Sequence, residues 1–187
     1  MALELVDRLK LYHAILPDPT PEDRSPDTSS WRAAYQFLAA GARGAQSAGP
    51  IYSKLVHGPS SAYHAWTLAA VVPWGKVVDD PNRGGRKSKV QNGPLVTRAA
   101  REGIKASNKI CAAITEAHVH RKEVLKLKEL ACSGGESRDK REVFGMAVHR
   151  WDKTTGNWRL SVLYAILVEA TEKLKGWPVP DDGECSL

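Results

Sequence analysis

GIKASNKICAAITEAHVHRKEVLKLKELA, residues 103–131, holds a single period along its whole length and reads as one long two-faced helix. Ile110, Ala113, Ile114, Ala117, Val124, Leu127 and Ala131 recur at helical spacing and form an apolar stripe. Lys109, Glu116, Lys122, Glu123 and Lys126 fall mostly off that stripe. Ser107 and Asn108, just past Gly103, are good N-cap residues and mark the start. The first four N–H groups of a helix lack intrahelical acceptors, so a start flanked by Lys105 and Lys109 suits an anion. A core helix with a solvated charged face accounts for the pattern by itself. Whether the charge has a further use depends on the rest of the chain.

Outward from this segment, apolar residues keep the helical period almost everywhere. A first helix is expected over 2–14, with Leu3, Val6, Leu9, Leu5 and Tyr12 inward. It stops at LPDPTPEDRSPD, where Pro17, Pro19, Pro21 and Pro26 forbid continuation and 20–23 suits one capped turn. A second helix spans 30–42, packing Trp31, Ala34, Tyr35 and Leu38, before GARGAQSAGP breaks the chain. Residues 60–72 are apolar nearly all round and read as a buried helix; 75–93, rich in Gly and basic residues, reads as an exposed loop. Pro94 opens a short helix, PLVTRAARE. Beyond the long helix and a second break at CSGGESRD come helices over 138–151 and 158–174. The last of these, carrying Leu160, Val162, Leu163, Ile166, Leu167 and Ala170, is the expected centre of the core. Gly176 is expected to stop it, with Trp177-Pro178 docking before a polar tail. No strand alternation is sustained. The expectation is one all-α domain over 1–187, an irregular array of about six to eight helices without a sheet, with flexible loops near 17–28, 75–93 and 132–138.

Composition sets the class of partner. With 42% hydrophobic and 26% charged residues in 187, the chain can bury a core. No apolar run reaches the roughly 20 residues a bilayer requires; the best, Leu160 to Ala170, is interrupted by Ser161 and Glu169. Cys111, Cys132 and Cys185 form no CxxC pair and read as reduced thiols of an intracellular protein. The net charge of +6 is unevenly placed. Between Arg83 and Lys128 twelve Lys/Arg face only Glu102, Glu116 and Glu123, a net of +9, while the remainder carries −3. That asymmetry points to a polyanion.

The candidate catalytic groups do not assemble. His118 and His120 stand at i,i+2 and diverge on a helix, so they do not share one ion. Glu116 and His120 at i,i+4 read as a surface pair. Asp79-Asp80 and Asp181-Asp182 lie in loops, and the glycines near 83–86 lack the strand and Lys-Ser/Thr of a P-loop. No metal site and no catalytic residue is assigned. The candidate RNA-binding set is Arg98, Arg101, Lys105, Ser107, Asn108, Lys109, Arg121, Lys122 and Lys126, spaced along two successive helices. Such contacts position a backbone without reading sequence, and the scarcity of aromatics among them favours the shape of folded or duplex RNA over a single strand.

The chain resembles the C-terminal part of fungal CCA-adding tRNA nucleotidyltransferases. The resemblance lies in LKLYHAILPDPT (9–20), HAWTLAAVVPWGKV (64–77), REGIKASNKICAAITEAHVHRKEVLKLKE (101–129) and VFGMAVHRWDKTTGNWRLSVLYAILVEATEKL (143–174). In that family a head carries a Gly-Ser motif and paired carboxylates for two Mg²⁺, a neck selects CTP and ATP, and a helical body and tail grip tRNA. Neither a Gly-Ser with a downstream Asp-x-Asp nor Glu-Asp-x-x-Arg occurs here. The resemblance therefore implies a body/tail region that binds the tRNA acceptor stem and elbow through the basic residues named above. Mg²⁺ and CTP/ATP would belong to a head and neck outside this chain. It also implies a cytoplasmic, nuclear or mitochondrial setting. The residues alone leave open a different class: a helical scaffold whose basic face docks an acidic protein or an anionic membrane surface.

Overall fold

A computed structural model describes residues 2–20, 24–44, 48–77, 93–133, 137–155 and 157–173. Among these the chain is all-α: α1 Ala2–Arg8, α2 Tyr12–Ile15, α3 Trp31–Ala42, α4 Gly49–Leu55, α5 Gly58–Val71, a 3₁₀ turn Val72–Lys76, α6 Leu95–Gly103, α7 Asn108–Cys132, α8 Ser137–Thr155 and α9 Trp158–Lys173. Most of the 75–93 loop, residues 21–23 of the turn expected at 20–23 and the tail beyond Lys173 lie outside the described residues.

α9 is the hub. It packs most extensively on α7 and also on α3, α5, α4, α8 and the 3₁₀ turn. Leu160, Leu163, Tyr164, Ala165, Leu167 and Val168 are all buried, which leaves polar groups only a narrow outer edge. α5 supplies the second apolar wall through Ala65, Leu68, Ala69 and Val71. Its end poses a local problem. The carbonyl of Ala69 would normally accept from residue 73, but that residue is a proline and has no N–H. Trp31 fills the gap, its indole Nε1–H donating to the Ala69 carbonyl at 2.8 Å, while the Tyr12 hydroxyl donates to the Ala70 carbonyl at 3.0 Å. Trp74 returns the arrangement, donating to the Leu16 carbonyl at 3.1 Å. Three aromatics thus bury their rings in the core and complete the backbone hydrogen bonding of two helix ends.

The expected first helix is two helices. α1 ends in a Schellman stop, with Leu11 N–H to the Val6 carbonyl and Lys10 N–H to that of Asp7. Lys10 occupies the left-handed position usually given to glycine (φ 56°), so the chain swings away from the helix axis. Leu5 and Leu9, expected inward, are consequently 55% and 57% exposed. Tyr35 holds α1 in place by donating to Asp7 Oδ2 at 2.8 Å. α4 starts at the end of the expected break over 41–50 and runs on into residues for which no element was expected, because Pro50 sits in its first turn where no N–H is needed.

The 103–131 stretch also divides. Gly103 closes α6, and α7 begins at Asn108. Lys105 takes the left-handed conformation (φ 51°), and Ala106 N–H returns to the Ala100 carbonyl at 3.2 Å. Gly103 is required for a different reason: a Cβ there would run into the Ile15 carbonyl and the Leu16 Cα, so α2 crosses α6 at this point. Farther along, Thr97 and Thr115 hydroxyls meet at 2.8 Å and lock α6 against α7. α8 rests on a smaller cluster of its own, formed by Val124, Leu127, Ala147, Trp151 and Ala165.

Candidate nucleic-acid interface

The nine sequence-selected residues fall into three groups. Arg101, Lys105, Ser107, Asn108 and Lys109 are exposed at the α6–α7 junction, within nine residues of chain. Lys122 and Lys126 are exposed in the second half of α7, about 20 and 25 Å along the helix axis from Lys109 at 1.5 Å per residue. Arg98 and Arg121 are drawn into the fold. The Arg98 guanidinium donates to the Pro19 carbonyl at 2.9 Å, and Arg121 pairs with Glu172 of α9 at 2.5 Å. Among the described residues, Arg101, Lys105, Lys109, Lys122 and Lys126 form no ion pair. The cations therefore make two separate patches and no continuous rail.

At the junction the helix start is partly closed. Ser107 accepts the Ile110 N–H with its hydroxyl (3.5 Å) and the Cys111 N–H with its carbonyl (2.8 Å). Of the four N–H groups that a helix start leaves over, only that of Ile110 is capped; those of Ser107, Asn108 and Lys109 have no protein acceptor among the described residues. They point from the positive end of the α7 dipole, with Lys105 and Lys109 beside them. Lys105 sits just beyond the end of α6, where a cation is also favoured by the carbonyl end of that helix.

Two of the three acids of the basic segment are turned to other uses, while Glu102 is exposed on α6. Glu116 faces His120 at 3.5 Å. Glu123 accepts from the Trp151 indole at 2.8 Å and pairs with Arg150. His120 stacks on Trp151 (centroids 5.3 Å, interplanar angle 26°), so the Glu116–His120 pair belongs to the seat of α8. Lys128, counted among the cations by sequence, donates to both oxygens of Glu169 at 2.5 and 2.6 Å; Lys173 joins it. These two lysines hold the Glu169 carboxyl below its ordinary value.

No group of three or more His, Cys, Asp or Glu that could hold a metal occurs among the described residues. The residues described do not fit a Mg²⁺ site, and Asp79-Asp80 and Asp181-Asp182 lie outside them. Cys111 is buried, its thiol donating to the Ala106 carbonyl at 3.4 Å, and Cys132 is exposed; neither is in a disulfide. No described helix is long and apolar enough to cross a membrane. Two exposed residues between the cation patches escaped notice in the sequence, Ala112 and Val119. The available signal was their spacing from Asn108, Lys122 and Lys126 along one outward line of α7.

Fold and surface together define an all-helical domain in which five exposed cations of the basic segment, Arg101, Lys105, Lys109, Lys122 and Lys126, lie on α6, α7 and their junction. Over 179 residues the chain is 43% identical to Nucleotidyltransferase lcsQ of Purpureocillium lilacinum, a match covering 95% of this chain and 29% of that protein. The chain is thus homologous to part of a nucleotidyltransferase and spans less than a third of that relative's length. No family model matches the chain, and no solved structure does.

Proposed function

We propose that this chain is the tRNA-gripping helical region of a CCA-adding tRNA nucleotidyltransferase, corresponding to that family's body and tail. The observation that carries it is the set of five exposed cations, Arg101, Lys105, Lys109, Lys122 and Lys126, which form no ion pair among the described residues, while Glu116 and Glu123 are engaged elsewhere. Homology over nearly the whole chain to under a third of a nucleotidyltransferase supports the same division of labour. This region holds the RNA acceptor stem and elbow, while Mg²⁺, CTP and ATP are handled by head and neck segments outside it. Its chemical role is positioning: phosphate contacts fix the orientation of the RNA without reading its bases.

Filter binding of tRNA against salt tests the proposal. Five phosphate contacts give a log–log slope of about −3.5 to −4.5. Reversing Lys105 and Lys109 to Glu together lowers affinity several-fold and leaves the melting temperature nearly unchanged, since both side chains are exposed. Affinity independent of salt, or displacement by an acidic polypeptide or anionic vesicles more readily than by tRNA, would sink the proposal in favour of a docking scaffold. The chain alone, given tRNA lacking CCA, Mg²⁺ and labelled CTP, is expected to incorporate no nucleotide.

A further inference from the structure

We infer that the outward line of α7 seats the minor groove of an RNA duplex; this rests on the RNA-gripping function proposed above. Asn108, Ala112, Thr115, Val119, Lys122 and Lys126 follow one another in alternating steps of four and three residues, and so form one ridge along the helix. The ridge lies opposite the buried positions Ile110, Ala113, Ile114, Ala117 and Val124. Its two ends are polar or cationic and its middle is small and uncharged. Ala112 is exposed, Val119 is 60% exposed, and the Thr115 hydroxyl is already engaged with Thr97 and the Cys111 carbonyl.

That pattern selects among nucleic acids. A helix that reads the B-DNA major groove needs long donors and acceptors at its centre to reach base edges, and this ridge has none there. A single-strand binder needs aromatic platforms, which the ridge also lacks. The minor groove of A-form RNA is wide and shallow and displays sugars and 2′-hydroxyls, so a low, smooth surface can approach it closely. Asn108 can exchange hydrogen bonds with a 2′-hydroxyl at one end, while Lys122 and Lys126 reach phosphates at the other. Glu116 and Glu123 border the ridge, but their carboxylates are committed to His120 and to Trp151 and Arg150, which lowers repulsion toward the strands.

The test adds bulk without changing charge. The full chain and its Ala112→Trp and Val119→Trp variants are titrated with an RNA hairpin of about 16 base pairs, the DNA hairpin of the same sequence, and poly(U). The seat predicts that the unmodified chain prefers the RNA hairpin to the DNA hairpin. Each variant should lose about tenfold in affinity for the RNA hairpin, while poly(U) binding does not fall, since an added indole offers a base a stacking face, and the melting temperature stays unchanged. Variants that bind the RNA hairpin as well as the parent, or lose poly(U) equally, overturn the seat. A parent chain that binds none of the three overturns the RNA-gripping function itself.

Discussion

Lys105 is where backbone conformation and charge can be separated. A non-glycine residue in the left-handed region costs about 1–2 kcal/mol, partly offset in glycine by the entropy it loses on folding. Lys105→Gly is therefore expected to raise the melting temperature by up to about 4 °C, equivalent to roughly 1 kcal/mol at this size. Lys105→Ala keeps the backbone cost and should leave stability unchanged. Both should weaken tRNA binding alike; calorimetry beside filter binding checks it, and unequal affinity losses would show that conformation, not charge, is what the RNA senses. Tyr164 offers the opposite case. Its hydroxyl is fully buried, lacks a hydrogen-bond partner among the described residues and abuts Gly75; burial pushes the phenol's pKa well up against the nearby Arg121. Tyr164→Phe removes a desolvated group that gains nothing, so stability should hold or rise by up to about 1 kcal/mol in urea unfolding. A loss larger than that would reveal a bound water or another acceptor at the hydroxyl. At this scale the candidate site was only partly legible. Nothing local to Arg98 or Arg121 announces partners 79 and 51 residues away.

Among the elements, α7 and α9 were legible because their apolar residues keep the helical period and Ser107 caps the first of them. Boundaries set by backbone conformation were not. Lysines at 10 and 105 stop helices where glycine would have advertised the stop, and Pro50 opens α4 where a proline looked like a break. The α7–α9 contact carries a charge clamp of its own. With Lys128 and Lys173 on its carboxylate, Glu169 stays ionised to lower pH than an ordinary glutamate, whose value is 4.5. A carboxyl whose pKa falls on folding stabilises the native state above its unfolded value, and that contribution fades as pH drops below it. Glu169→Gln should thus flatten the acid limb of the melting temperature below about pH 4.5 and lower stability slightly at pH 7, the pair being partly exposed. An acid limb identical to the parent's would assign the loss of stability to other carboxylates. Elements differ in strength too. α9 buries nine residues and α1 none, so opening is expected to begin at α1, as earlier amide exchange there than in α9 would record.

For the molecule as a whole, charge placement links stability to ligand. The net of +9 between Arg83 and Lys128 is a property of the sequence, but the fold decides how much of its described part, from residue 93 on, reaches solvent. Ion pairs hold Arg121 and Lys128 against α9, and two cation patches remain on α6 and α7. A ligand that binds only the folded chain at a hundred times its Kd adds about 2.7 kcal/mol to stability. For a domain of this size each kcal/mol is worth about 2–4 °C, so tRNA in low salt should raise the melting temperature by about 5–10 °C. With a slope near −4, raising salt from 50 to 200 mM weakens binding roughly 250-fold. The same tRNA concentration then falls below Kd, and the shift should nearly vanish. The Lys105→Glu, Lys109→Glu chain should show a smaller shift already at low salt, with an unchanged melting temperature in the absence of RNA. If the shift instead persists at 200 mM salt, contacts other than phosphate pairing dominate, and the two cation patches are not what holds the RNA.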